Sequence, residues 1–181
     1  MNRVVSTALA LAAGALTLTS SLAAQQQGAV QPNRFAIDGS IGFSVPTQGQ
    51  LNTGVDVMGA FEWKPGSLQL PLWFRGEIGY SNWGVSNIND SQDAWRFLAD
   101  AVLPFHLPGI PFYPYALAGI GIYHQSCCGV YSSTGVGINF GGGVRYPIAG
   151  IEPYFELRYH AIFDNESDFL PFQFGVRFKL P

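Results

Sequence analysis

Residues 133–147 read STGVGINFGGGVRYP, five glycines in fifteen positions of a chain otherwise rich in aromatics. Glycine density of this kind marks either a phosphate-binding loop or a strand with one cleared face. A phosphate loop needs Gly-Lys-Ser/Thr, or the dinucleotide spacing, followed by a helix whose N-terminus holds the anion. Neither is present: Pro147 ends the stretch, and a turn and another extended segment follow. Period-two alternation is present instead. Val136, Ile138, Phe140, Val144 and Tyr146 fall on one face, Asn139 and Arg145 on the other. Gly137, Gly141 and Gly143 share the polar parity and Gly142 alone interrupts the apolar one. The stretch therefore reads as a strand whose polar side makes room for long side chains sent in by its neighbours.

The same alternation recurs along the chain. From residue 34, Phe35, Ile37, Ile41, Phe43 and Val45 oppose Asp38, Ser40 and Ser44; next, Val55, Val57, Phe61 and Trp63 oppose Asp56, Glu62 and Lys64. A third segment sets Leu70, Leu72, Phe74, Ile78 and Tyr80 against Arg75 and Glu77. A fourth sets Trp95, Phe97, Ala99, Ala101 and Leu103 against Arg96 and Asp100. In the fifth, 114–124, both faces are apolar or glycine, and we place Ala116, Ala118, Ile120 and Ile122 on the apolar side with Gly119 and Gly121 inward. The seventh opposes Phe155, Leu157 and Tyr159 to Glu152, Glu156, Arg158 and His160. The eighth opposes Phe172, Phe174, Val176, Phe178 and Leu180 to Gln173, Arg177 and Lys179.

Residues 101–123 are long and apolar enough to suggest a membrane helix, but Pro104, Pro108, Pro111 and Pro114 forbid one, each removing an amide donor and blocking the turn behind it. Strand, turn, strand is the reading. Charged residues make up 12% of the chain, where a soluble domain averages about 25%. A net charge of −3 offers no basic footprint for nucleic acid. At the N-terminus, Arg3, the apolar run Ala8 to Leu18 and the Ser21-Leu22-Ala23 cleavage pattern predict a secretory signal over residues 1–23. The apolar run is too short to span a bilayer. A flexible Gln-rich lead-in over 24–33 and a barrel domain over 34–181 follow.

The connections alternate in character. KPGS, FHLPGIPFY and PIAG are Pro/Gly turns, whereas PTQGQLNT, NWGVSNINDSQD, QSCCGVYSS and FDNESDF are polar. Outer-membrane barrels have tight periplasmic turns and longer external loops, which predicts both termini on the periplasmic side. A soluble lipocalin-like barrel shares the strand count but turns its polar face outward. Here one face of every segment is free of charge and crowded with large apolar groups, which suits lipid. The fold class is thus all-β, an eight-stranded antiparallel up-and-down transmembrane β-barrel.

The charged face becomes the lumen. It holds Asp38, Asp56, Glu62, Glu77, Asp100, Glu152 and Glu156 against Arg75, Arg96, Arg145, Arg158 and Arg177, with Arg34, Lys64 and Lys179 near the periplasmic rim. Eight strands leave a lumen that side chains can fill, and charges taken out of water must be paired. A salt-bridged plug is expected in preference to an open channel. The pairing itself depends on the barrel's shear.

With these features the chain resembles the opacity and outer-membrane protein A-like family of eight-stranded barrel domains. The resemblance rests on PYALAGIGIY (114–123), GINFGGGVRYPI (137–148), EPYFELRYH (152–160) and the ending FQFGVRFKL, and spans Phe35 to Leu180. It implies an eight-strand meander inserted by the barrel assembly machinery; outer-membrane lipid and lipopolysaccharide are the expected surroundings and a monomer the expected form. Pro181 stands where that family carries a terminal aromatic. The family implies no single activity: its members include anchors, adhesins and minor pores. A structural or surface-interaction role is the expectation, a narrow passive pore the alternative, and a lipid-modifying enzyme the weaker third.

No motif calls for a cofactor. Acyl-removing outer-membrane enzymes of similar architecture use a lipid-facing His and Ser on one strand. The local match is RYHAIF, where Ile162 replaces the serine and parity turns His160 inward, toward a hydrogen bond with Glu156 or a loop. Adjacent Cys127 and Cys128 sit at an external loop tip near His124, on the rim expected to carry His160. Adjacent cysteines converge poorly on a metal, so no metal site is assigned, and either a disulfide between them or a pair of cross-linking thiols fits an oxidising compartment. DNESD, residues 164–168, reads as a solvated loop, with cation bridging to lipid phosphates as the other reading. Trp63, Tyr80, Trp95, Tyr146 and Tyr159 are placed at the membrane interfaces.

Overall fold

The computed structural model describes residues 33–181 apart from 48, 50, 67–69, 87–89, 130 and 164–166. The predicted signal peptide, all but Asn33 of the lead-in and the first three residues of DNESD lie outside the described residues. Eight antiparallel strands follow one another: β1 (Phe35–Pro46), β2 (Gly54–Trp63), β3 (Trp73–Gly84), β4 (Ser91–Pro104), β5 (Tyr113–Cys127), β6 (Tyr131–Arg145), β7 (Ile151–Ile162) and β8 (Phe169–Leu180). Each pairs with the next, and β8 pairs with β1 to close the barrel, leaving no unpaired edge. No helix occurs among the described residues.

The register fixes the shear. One inward-facing row runs Ala36, Glu62, Arg75, Asp100, Gly119, Asn139 and His160 around the wall, then Phe169, and meets β1 again at Pro46. The circuit returns ten residues above its start, a stagger that tilts the strands by roughly 35–45° to the barrel axis. Residues distant in sequence are thereby stacked across a narrow lumen.

The alternation places side chains as expected on all eight strands, with large apolar groups such as Ile41, Phe97, Ile120 and Phe174 exposed on the outer wall and charged groups buried inside. Cross-strand aromatic pairs on that wall, Phe43 with Phe172 and Tyr80 with Trp95, have centroids 4.8 and 4.9 Å apart and help hold the register. Cleared positions on the inner wall receive large neighbours. A Cβ at Gly79 would collide with the Arg96 guanidinium, one at Gly141 with Arg158, and one at Gly143 with the Tyr115 ring.

Two connections differ from their reading in the sequence. Leu70 and Leu72 precede β3, which begins at Trp73, so the link between β2 and β3 occupies 64–72 rather than KPGS alone. QSCCGVYSS is mostly paired strand, with Gln125 opposite Ser133 and Cys127 opposite Tyr131, leaving 128–130 as the turn. The connections at the end carrying the termini (64–72, 105–112, 146–150) are consequently no shorter than those at the far end (47–53, 85–90, 128–130, 163–168). The length asymmetry used above to orient the chain is absent. The compositional asymmetry, Pro and Gly at one end and polar residues at the other, stands.

Candidate functional site

Strand parity aims Asp38 from β1, Asp56 and Glu62 from β2, Arg75 and Glu77 from β3, and Arg96 and Asp100 from β4 into the lumen. Arg145 from β6, Glu152, Glu156 and Arg158 from β7 and Arg177 from β8 join them, and all twelve are buried. The shear brings them into one connected network. Arg96 reaches Asp56 at 2.8 Å and Glu77 at 3.1 Å. Arg158 bridges Glu77 (2.6 Å), Asp100 (3.2 Å) and Glu156 (2.5 Å). Arg75 joins Glu156 (2.9 Å) to Glu62 (2.8 Å). Glu62 also receives Arg145 at 2.6 Å and Arg177 at 2.7 Å, and Arg177 continues to Glu152 at 2.7 Å. Lys179 closes the sequence at the rim, 2.5 Å from Glu152. Neutral groups saturate further oxygens: Ser81 and Gln173 donate to Asp56, Asn139 to Asp100 and Tyr115 to Glu156.

Physically this arrangement is a filled wall of paired charge. A buried charge is tolerable when paired and hydrogen-bonded on all sides, and removing one partner strands the others. Six of the seven acids accept at least one hydrogen bond; Asp38 accepts none among the described residues. Arg34 and Lys64 stay outside the network, at the rim: the Arg34 guanidinium lies over Gly66 and its carbonyl accepts from the Lys64 amide.

Two apolar clusters pack against the charged zone, and sequence reasoning missed them. Toward the far end, Trp83, Ala94, Leu98, Tyr123, Ile162 and Phe169 form one buried cluster. Toward the termini, Ala36, Trp73, Val102, Tyr115 and Leu117 form another. Guanidinium faces tie the second cluster to the charges, Arg177 lying 4.3 Å from the Trp73 ring centre and Arg145 4.4 Å from that of Tyr115. Parity was the available signal, since Trp73 and Trp83 are in step with Arg75 and Glu77. Tryptophan in a membrane strand nonetheless reads first as an interface residue.

His160 is fully buried, but not beside Glu156. Its Nδ1 lies 2.9 Å from the Tyr123 hydroxyl and its ring stacks on Phe169 at 4.6 Å. Glu156, four residues earlier on β7, is saturated by Arg75, Arg158 and Tyr115. His124 faces outward and meets Thr134 Oγ1 at 2.8 Å. Cys127 and Cys128 are joined as a disulfide at the β5–β6 turn, where Cys128 has φ +60°. The two histidines and the cysteines do not converge: His160 is inside the wall and His124 outside it. Among the described residues no cluster of His, Cys, Asp and Glu has the geometry of a metal site. A groove of about 960 Å³ lies on the outer wall between Phe61, Ile78, Phe97, Ile120 and Ile138, and its exposed side chains are apolar.

Comparison with known proteins places this architecture. No curated protein matches the sequence. Among solved structures, Neisserial surface protein A superposes with a TM-score of 0.65 at 16% identity, over 81% of this chain and 97% of that one. Ail of Yersinia pestis, solved in complex with the heparin analogue sucrose octasulfate, gives 0.55 at 11% identity, over 81% and 97%. The outer membrane enzyme PagL gives 0.53 at 17% identity, over 80% and 99%. At these identities the likeness concerns the fold. The model of the outer membrane protein beta-barrel domain matches residues 13–180. A closed eight-strand meander with an apolar exterior and a charged, filled interior, matched to that model over nearly its whole length, makes this chain a member of the outer membrane protein beta-barrel family, a bacterial outer-membrane barrel.

Proposed function

We propose that the barrel is a closed, non-catalytic element of the outer membrane, with both termini in the periplasm and the far rim as its contact surface. The observation that carries the reading is the continuous buried ion-pair network from Asp56 to Glu152, capped at the far end by an apolar layer and packed at the other against Trp73 and Tyr115. Such a lumen offers no water-filled path. In the planar arrangement of the bilayer the barrel works as a monomer, surrounded by lipid and lipopolysaccharide after insertion by the barrel assembly machinery. Liposome swelling tests the closure: vesicles carrying the protein should exclude small sugars as well as empty vesicles do, and sugar-dependent swelling would reject it.

An acyl-cleaving activity like that of an outer-membrane enzyme finds no support in the side chains. His160 points inward and Ile162 occupies the position of a serine nucleophile. Unchanged lipid A acylation on overexpression is the expected outcome, and a lost acyl chain would reinstate the enzyme reading.

The far rim restricts the kind of contact. Segments 47–53, 85–93, 125–133 and 163–168 contain Asp90, Asp93, Asp164, Glu166 and Asp168 and no Lys or Arg. A polyanion of the kind bound by Ail would be repelled there. The surface suits neutral or cationic partners.

A further inference from the structure

The buried network is short of positive charge. Seven buried carboxylates (Asp38, Asp56, Glu62, Glu77, Asp100, Glu152, Glu156) face five buried arginines and, at the rim, Lys179. One carboxylate therefore lacks a counter-charge of its own, and hydrogen bonding shows which. Among the described residues, Asp38 is the only one of the seven with neither oxygen in a hydrogen bond to the protein. Its nearest cations stand off, Arg75 Nε at 3.7 Å and Arg177 Nε at 3.8 Å. Both of those N–H groups already donate to Glu62, at 2.9 and 2.7 Å. A fully buried carboxylate in this position is costly unless something positive joins it.

The surroundings supply oxygen. Ser40 follows Asp38 on the same face of β1 and pairs with Gly175, which in turn pairs with Tyr154. A Cβ at Gly175 would collide with the tip of the Tyr154 ring, so the absence of a side chain there lets the phenol lie across β8 toward β1. Ser40 Oγ and the Tyr154 hydroxyl are buried, and the Tyr154 hydroxyl faces both Ser40 and Asp38. The charged and titratable groups facing Asp38 are Glu62 from β2, Arg75 from β3, Arg145 from β6, Tyr154 from β7 and Arg177 from β8. The three arginines are shared with Glu62, Glu156 and Glu152.

We propose that Asp38 is a cation-binding site inside the wall, holding either a proton or a small monovalent cation, with the hydroxyl oxygens of Ser40 and Tyr154 as its remaining neighbours. Oxygen donors suit a hard cation, and a carboxylate that accepts no hydrogen bond is the one of the seven that loses least by protonation. The site makes the network electrically complete.

Carbon-13 NMR of the full chain in nanodiscs, with labelled aspartate carboxyls and Asp38→Asn used for assignment, reads the site directly. A protonated-type carboxyl shift at neutral pH, the same in sodium buffer and in a bulky tetraalkylammonium buffer, supports the proton. An ionised-type shift that moves when sodium is replaced supports the metal cation. An ionised shift indifferent to the replacement overturns the proposal. Denaturant unfolding gives a second readout. Asp38→Asn should change the folding equilibrium by no more than a few fold, whereas Glu62→Gln should lower it on the order of a hundredfold or more. Equal losses from the two variants would show Asp38 to be an ordinary ion-pair partner and overturn the proposal.

Discussion

Replacing Glu62 with glutamine removes the one carboxylate among the described residues that three arginines reach, Arg75, Arg145 and Arg177 at 2.8, 2.6 and 2.7 Å. Shape and volume barely change, so any loss is electrostatic. Arg75 and Arg177 keep Glu156 and Glu152 as second partners. Arg145 keeps none within ion-pair distance and is left beside two other guanidinium groups, supported by the Tyr115 ring. Breaking a buried pair typically costs about 3–5 kcal/mol, and the value here should fall in that range because the stranded Arg145 is buried too. Lys179→Ala provides the control, since its amine is partly exposed and its partner Glu152 retains Arg177; about 0–1 kcal/mol is expected. Folded and unfolded barrel separate by heat-modifiable gel mobility, so a urea titration read on unboiled gels gives both values. A Glu62→Gln barrel with the wild-type midpoint and slope would refute the network as a source of stability.

Three further outcomes follow from the geometry. Gly119→Ala places a Cβ against the Asp100 carboxylate and the Ala99 carbonyl and should cost roughly 1–3 kcal/mol, whereas Gly59→Ala, whose Cβ meets nothing, should stay within about 0.5 kcal/mol; the same urea titration compares them. The acidic far rim should leave the detergent-solubilised barrel unretained on a heparin column at low salt, and retention would contradict the electrostatic reading of that surface. Phe169→Ala removes a ring packed against Trp83 and His160 at 5.0 and 4.6 Å and should cost about 3–5 kcal/mol in the same assay.

The strands were legible because lipid outside and packed polar groups inside give every strand opposite faces, which a period of two reports. Legibility ended where that contrast ends. Gln125 to Ser133 extends the β5–β6 hairpin with polar or small residues on both faces, so the sequence there looks like a loop although it is paired. Leu70 and Leu72 keep the alternation while lying before β3, so the pattern overran the strand. Ion pairing was not legible, because a stagger of ten residues sets partners such as Arg75 and Glu156, 81 residues apart, across the lumen. The apolar clusters escaped for a chemical reason: Trp73, Trp83 and Phe169 sit on the inner face, while large aromatics in a membrane strand suit the outer one equally well. For His160 parity was right and the partner wrong, since Tyr123 comes from β5, a strand whose two faces look alike.

The central claim is that paired charged side chains and the apolar groups packed against them close this lumen. Single-channel recording of the full chain in a planar bilayer addresses it most directly. The account predicts no stable conductance steps from the wild-type barrel, and leak from Arg75→Ala or Glu77→Ala, which open the network at its centre. Reproducible steps of constant conductance from the wild-type protein would contradict it.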